Sequence, residues 1–268
     1  MATLMTTFSE LGSESLQKSP CLLCGGQRFK GSFKETVINN HSLGECLSCG
    51  MVQALPVSAV SSFDYSSYGD YLLLNDREIK KRIRWVTRQM APVFRVVKKR
   101  FKDPVIVDFG SGAGYFCKAA QDYGFKAIGV ELSGKLTEFS KTRVGFGNVV
   151  KRIEDLNCQC DAIFMSDVIE HLHPGQSRQA MTEIVNHLNP GGLLVGNTPN
   201  FKSANIRLCK DKDPVIAAPS HVCYFSMKSL DKYLVSLGLT KVTLYSRGLS
   251  LNSFFSNSKF EVPSWRRA

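Results

Sequence analysis

Three glycines set two residues apart carry the chemistry of this chain: Gly110, Gly112 and Gly114, in the run Val105-Ile-Val-Asp-Phe-Gly-Ser-Gly-Ala-Gly-Tyr-Phe116. An apolar strand run stops at the glycines and a helix-forming run follows. Glycine lets the backbone turn sharply there and approach a ligand closely. Glu131 closes the next apolar run, 21 positions after Gly110. A carboxylate at that distance accepts hydrogen bonds from both hydroxyls of a ribose. The pattern indicates an adenosine-containing ligand. It is not the dinucleotide spacing G-x-G-x-x-G, whose third glycine falls where Tyr115 stands. Asp108, just before the turn, suits an ammonium group and repels a pyrophosphate. Adenosine, ammonium and sulfonium without phosphate describe S-adenosylmethionine.

A second constellation precedes it. Cys21-Leu-Leu-Cys24-Gly and Cys46-Leu-Ser-Cys49-Gly are two C-x-x-C knuckles. Each presents two thiolates to one tetrahedral zinc, and the glycine after each allows the turn. A redox reading needs one such pair beside a βαβ unit, whereas both pairs lie outside it. One structural zinc ribbon is expected. Nine cysteines, an odd number, fit metal ligation and buried thiols better than a disulfide framework.

The elements that position these residues follow from period. Ile79, Ile83, Val86, Met90, Val93, Val97 and Phe101 recur at helical steps over 76–103, with Pro92 as a kink or break. From Val105 strands and helices alternate. Strands are expected at Val105–Phe109, Lys126–Val130, near Val149, at Ala162–Ser166, Leu193–Asn197 and Lys241–Ser246. Helices are expected at Tyr115–Tyr123, Ser133–Val144, Ser177–Leu188 and Met227–Leu237. Asn189-Pro-Gly-Gly192 reads as a helix stop, and 199–226 as irregular. This alternation requires a parallel sheet covered on both faces.

The chain has 268 residues, 43% hydrophobic and 21% charged, which is enough apolar surface for a core and excludes pervasive disorder. No apolar run approaches the ~20 residues that cross a bilayer. Residues 1–20 fit neither a secretory nor a transit signal, so a cytoplasmic, reducing location is expected. The formal charge is +11, before thiolate ligation of zinc lowers it. Segment 76–103 holds eleven basic residues against three acids. It is either a solvated face or a surface for an anionic acceptor or an RNA.

With these motifs in place, residues 104–246 resemble a class I S-adenosylmethionine-dependent methyltransferase. The matching runs are Val-Asp-Phe-Gly-Ser-Gly-Ala-Gly at 107–114, Gly-Val-Glu-Leu-Ser at 129–133 and Asp-Ala-Ile-Phe-Met-Ser-Asp-Val-Ile-Glu-His-Leu at 161–172. Leu-Asn-Pro-Gly-Gly-Leu-Leu-Val at 188–195 and His-Val-Cys-Tyr-Phe-Ser at 221–226 complete the order. The resemblance implies an α/β fold: a Rossmann-like seven-stranded sheet with helices on both faces, plus the small N-terminal zinc ribbon. It also implies cofactor contacts at Asp108, Gly110, Ser111, Gly112, Gly114, Glu131, Leu132, Ile153, Glu154 and Ser166.

The expected organisation is a free N-terminus at 1–19, the ribbon at 20–56, a tyrosine-rich flap and basic helix at 57–103, the catalytic domain at 104–256 and a basic tail at 257–268. A ribbon, a tyrosine-rich connector and this core together resemble a subgroup containing sugar C-methyltransferases and natural-product enzymes. In those sugar enzymes a Glu-His pair resembling 220–221 is catalytic; here Ser220 replaces the acid.

Candidate catalytic residues are His221, His171 and, in the flap with Tyr65 and Tyr68, Tyr71. His173 reads as a loop residue. The nucleobase-amino signature after the fourth strand is replaced by Ser-Asp-Val-Ile, and no Pro-Cys pair occurs within 104–246. The leading expectation is methyl transfer to a small-molecule hydroxyl or carbon, with an RNA methyltransferase or a non-catalytic cofactor-binding subunit as alternatives.

Overall fold

Strand-forming β-branched runs broken by glycine, and one long amphipathic basic segment, dictate the elements seen in a computed structural model of the chain. It describes residues 20–32, 37–38, 41–55, 74–172, 174–218 and 220–246. The expectations for 1–19, the flap tyrosines Tyr65, Tyr68 and Tyr71, His173 and the tail at 257–268 fall outside those residues.

In chain order the elements are β1 (Phe29–Gly31), β2 (Val37–Ile38), β3 (His41–Cys46), β4 (Val52–Leu55), α1 (Asp76–Arg100), β5 (Val105–Phe109) and α2 (Tyr115–Asp122). Then come β6 (Lys126–Val130), α3 (Gly134–Phe139), β7 (Val149–Val150), β8 (Cys160–Ser166), α4 (Pro174–Asn186) and β9 (Leu188–Asn197). The last are α5 (Ala204–Cys209), β10 (Cys223–Tyr224) and α6 (Met227–Ser236).

They group into two compact units. In the first, residues 74–169 and 178–198 build a parallel sheet in the order β7-β6-β5-β8-β9. Val105 to Phe109 run in register with Lys126 to Val130, and Ile106 to Asp108 with Ala162 to Phe164. Reversal of strand order beside β5 is the topological switch point where such sheets bind ligands, at the carboxyl ends of their strands. The core beside the sheet is aromatic. Phe94 of α1 is fully buried and meets Phe116, Tyr123, Phe125 and Phe164 at centroid distances of 5.6, 5.1, 5.1 and 6.2 Å.

Helix α1 is continuous through Pro92. The proline is exposed, so the Arg88 carbonyl it leaves without a helical donor lies on the solvent side, where water can serve it. A capping box starts the helix: Glu78 N–H donates to the Asn75 side chain, and Asn75 N–H to Glu78. Ser133 caps α3 as expected.

The second unit gathers residues 20–55, 170–177 and 199–246. Its sheet is antiparallel, ordered β1-β3-β4-β10, with β2 added beside β3. Cys223 and Tyr224 of β10 pair with Gln53 and Val52. Segment 221–226 thus completes the sheet of the cysteine-bearing module.

Three expectations need correction. Among the described residues the parallel sheet has five strands, not seven. Lys241–Ser246 forms no strand: its alternation of half-buried and exposed residues is right, but a strand also needs an edge to pair with, which period cannot supply. Asn189-Pro-Gly-Gly192 does not end a helix but lies inside β9, after α4 has stopped at Asn186. There the register against β8 shifts between Cys160 and Ala162, and Asn189 Nδ2 donates to Asp161 Oδ1 at 2.8 Å. Gly191, with φ of 77°, accommodates that irregularity.

Candidate active site

The glycine turn after β5 owes its path to backbone that side chains rarely tolerate. Gly110, Gly112 and Gly114 have φ of 78°, 52° and 76°. A Cβ at Gly110 would come within 2.6 Å of Val168 Cγ2, and one at Gly114 would collide with Ser140. At Gly112 it would meet nothing within 4 Å: the backbone borders open space there.

Four of the turn's amides are already engaged. Gly110 and Ser111 N–H donate to the Val130 carbonyl at 2.9 and 3.0 Å, and Gly114 N–H to the Ser111 carbonyl at 2.9 Å. Gly112 N–H donates to Glu131 Oε2 at 2.8 Å, while Ser133 N–H donates to Glu131 Oε1 at 2.7 Å. A phosphate cradle needs free amides; these four are spent inside the protein. Each Glu131 oxygen keeps a further lone pair for a ribose hydroxyl. Ser111 Oγ is buried without a hydrogen-bond partner, which leaves it for a ligand. The donor set therefore fits a nucleoside without phosphate.

Asp108 lies at the floor of this turn, only 7% exposed. Burial pushes its carboxyl up to about 7, against a thiol hydrogen bond from Cys117 at 3.8 Å that lowers it and the charge of Glu131 that raises it. An ammonium beside it would favour the ionised form. Leu132 is 57% exposed beside Glu131 and presents an apolar surface to solvent. Ile153 is buried in a short helical turn, whereas Glu154 is held outward by Arg152, whose Nη2 and Nε donate at 3.2 and 3.3 Å. That ion pair lowers the Glu154 carboxyl.

At the carboxyl ends of β8 and β9, Ser166 Oγ donates to Asn197 Oδ1 at 2.7 Å, and Asn197 Nδ2 donates to Asp167 Oδ1 at 2.7 Å. Asp167 has φ of 53°, a conformation that costs a non-glycine residue energy and clusters at functional sites. Sequence reasoning passed over Asp167 and Asn197. Their signal was two polar residues in succession where a buried strand ends.

In the other unit, His171 and His221 come together with ring centroids 4.7 Å apart. His171 Nδ1 lies 2.6 Å from the Ser220 carbonyl, and His221 Nδ1 lies 2.7 Å from the Val215 carbonyl. A carbonyl only accepts, so both Nδ1 atoms carry a proton. Burial, then the charge of His171, lowers His221 to about 4, so it is neutral at neutral pH. Glu170, to which sequence reasoning gave no role, is buried beside them.

The four knuckle cysteines also gather in this unit. Cys21 Sγ is 3.5 Å from Cys49 Sγ and Cys24 Sγ 3.6 Å from Cys46 Sγ, separations far beyond a disulfide bond. Gly25 and Gly50 take φ of 70° and 75°, the turns that the glycine after each knuckle was expected to allow. Four sulfur atoms within 4.8 Å of one another are a donor set that fits zinc.

Comparison with known proteins follows the same lines. Residues 80–244 match the family described as a methyltransferase domain. No curated protein sequence matches the chain. Solved structures similar to it include a SAM-dependent methyltransferase from Archaeoglobus fulgidus, 19% identical over 71% of this chain and 87% of that one, with a TM-score of 0.48. Magnesium protoporphyrin IX methyltransferase from Synechocystis with bound SAH is 15% identical over 66% and 85%, with a TM-score of 0.47. The SAM-bound amino pentose methyltransferase of Micromonospora echinaspora is 22% identical over 48% and 58%, with a TM-score of 0.40. With more than half its length matched by the family, the chain belongs to the methyltransferase-domain family and is an S-adenosylmethionine-dependent methyltransferase.

Proposed function

We propose that the chain methylates a small-molecule acceptor at a hydroxyl or an acidic carbon. The observation that carries the donor half of this reading is the glycine turn: four of its amides are spent internally, Gly112 borders open space, and Glu131 and Ser111 retain acceptor and hydroxyl capacity. In this reading Glu131 holds the ribose, Asp108 and the 110–114 turn the amino-acid end, and Leu132, Ile153, Glu154 and Ser166 the adenine side. Bound there, S-adenosylmethionine supplies a methyl group already activated on a sulfonium.

The protein's work is orientation and, for a hydroxyl or carbon acid, removal of one proton. His221, His171 and Tyr71 are the proposed catalytic residues. Neutral His221 can take a proton at Nε2, but burial makes it a weak base. It therefore suits an acceptor that ionises readily, such as an enol, a phenol or a carbon between two carbonyls. In the second unit the four cysteines hold one structural zinc, which requires the reduced thiols of a cytoplasmic setting. Metal analysis that finds no zinc in the folded chain removes that module.

Calorimetry on Glu131→Ala tests the donor site. We expect S-adenosylmethionine affinity to fall at least about ten-fold, the equivalent of one charge-assisted hydrogen bond; unchanged affinity refutes the ribose assignment. Transfer of labelled methyl into a cell extract then identifies the acceptor, and label found in RNA alone overturns the small-molecule reading.

A further inference from the structure

We propose that Glu170, His171 and His221 form a second metal site, which takes a divalent first-row transition ion through two imidazole nitrogens and one carboxylate oxygen. One ligand atom from each of the three lies within 4.8 Å of the others. The cluster is distinct from the four cysteines and contains no sulfur ligand. The nearby Cys223 thiol donates instead to the Leu172 carbonyl at 3.7 Å.

The second shell is what distinguishes this cluster from a chance meeting of polar residues. A metal-binding histidine usually donates its other ring N–H to a carbonyl or carboxylate, which fixes its tautomer and aims its lone pair. Both histidines do so here, His171 to Ser220 at 2.6 Å and His221 to Val215 at 2.7 Å. With Nδ1 turned to a carbonyl, Nε2 is the nitrogen of each ring that can ligate an ion, and coordination takes the neutral imidazole.

The backbone under them is tied as well. Val222 N–H donates to the Glu170 carbonyl at 2.8 Å, and Ala54 N–H to the Val222 carbonyl at 3.0 Å. The turn carrying Glu170 and His171 is thus anchored to the segment carrying His221, and that segment to β4. Glu170 is 2% exposed. Coordination at about 2.1 Å places tetrahedral ligand atoms about 3.4 Å apart, so the three side chains draw inward on binding.

Two imidazoles and a carboxylate leave coordination positions open to oxygen ligands. This deepens, and for its role rests on, the reading of the histidine pair as acceptor-side residues. An ion there lowers the pKa of a bound hydroxyl. The acceptor class that follows is one presenting a hydroxyl, alone or beside a second oxygen, to the ion.

Manganese(II) tests the site, because it prefers nitrogen and oxygen ligands over the thiolates of the cysteine cluster. The free-ion electron paramagnetic resonance signal is followed as the full-length purified chain is added, and S-adenosylmethionine affinity is measured in parallel by calorimetry. We expect one Mn²⁺ bound per chain, with binding weakened at least about ten-fold in Glu170→Gln and His221→Ala while circular dichroism stays unchanged. A wild-type chain that leaves the free-ion signal intact overturns the proposal, as does equal binding by both folded variants. Should one variant fail to fold, His171→Gln takes its place. A wild-type chain that binds S-adenosylmethionine but no Mn²⁺ sinks the metal site alone. A wild-type chain that binds Mn²⁺ but no S-adenosylmethionine sinks the donor-site reading alone.

Discussion

Asp108 shows how a single buried carboxyl couples stability to the donor site. Its ordinary value is 3.8, and burial raises it to about 7. Between those values the folded chain holds a proton that the unfolded chain has released. Native protein therefore binds more protons, and stability falls as pH rises through that window. The full cost, on the order of 4 kcal/mol, is present above about pH 7. Asp108→Asn removes this contribution. Urea midpoints at about pH 5 and about pH 8 should diverge for the wild type and converge for the variant, once slopes common to both are subtracted. Parallel slopes would mean that Asp108 is not buried as a neutral acid. The ligand's ammonium reverses the sign: donor affinity should rise with pH through the same window, because only the carboxylate attracts it.

At the scale of elements, α1 contributes through one side chain more than through its length. Phe94 is fully buried among four aromatic rings, whereas Val96, two positions on, is 55% exposed. Phe94→Ala should cost about 4 kcal/mol, and Val96→Ala less than about 0.5 kcal/mol. Denaturant midpoints give both numbers, and equal losses would contradict the packing. Period put Val93, Val97 and Phe101 on one face beforehand but did not single out Phe94, the side chain that the aromatic cluster encloses. More was legible in β5, the glycine turn and Glu131, because strand, turn and acid lie within one local βαβ stretch.

Other parts needed long-range information. The Ser220 carbonyl that orients His171 is 49 positions away, and the strand paired with β10 lies in the cysteine module. Asn189-Pro-Gly-Gly192 reads locally as a stop, yet Asp161, 28 positions before Asn189, helps fix that stretch as part of a strand. In each case the deciding partner is distant in sequence, where neither period nor propensity carries a signal.

For the whole molecule the question is what its charge does. The chain carries +11, and Arg77, Lys80, Lys81, Arg84, Arg88, Arg95, Lys98, Lys99 and Arg100 of α1 are all exposed. Such a row attracts any polyanion, so RNA binding by itself would not identify an RNA substrate. The two readings differ in salt dependence and in product. If about four phosphates are contacted, single-strand binding weakens roughly fifty-fold between 50 and 200 mM salt. A small-molecule enzyme should lose its hold on RNA in this way while methyl transfer into extract metabolites persists. Lys80→Ala with Arg84→Ala should flatten the salt slope by about 1.4 and leave that transfer intact. An enzyme built for RNA would instead lose turnover along with binding. Methyl label in RNA at 200 mM salt, abolished by the double variant, would make the row on α1 a substrate surface and displace the small-molecule reading.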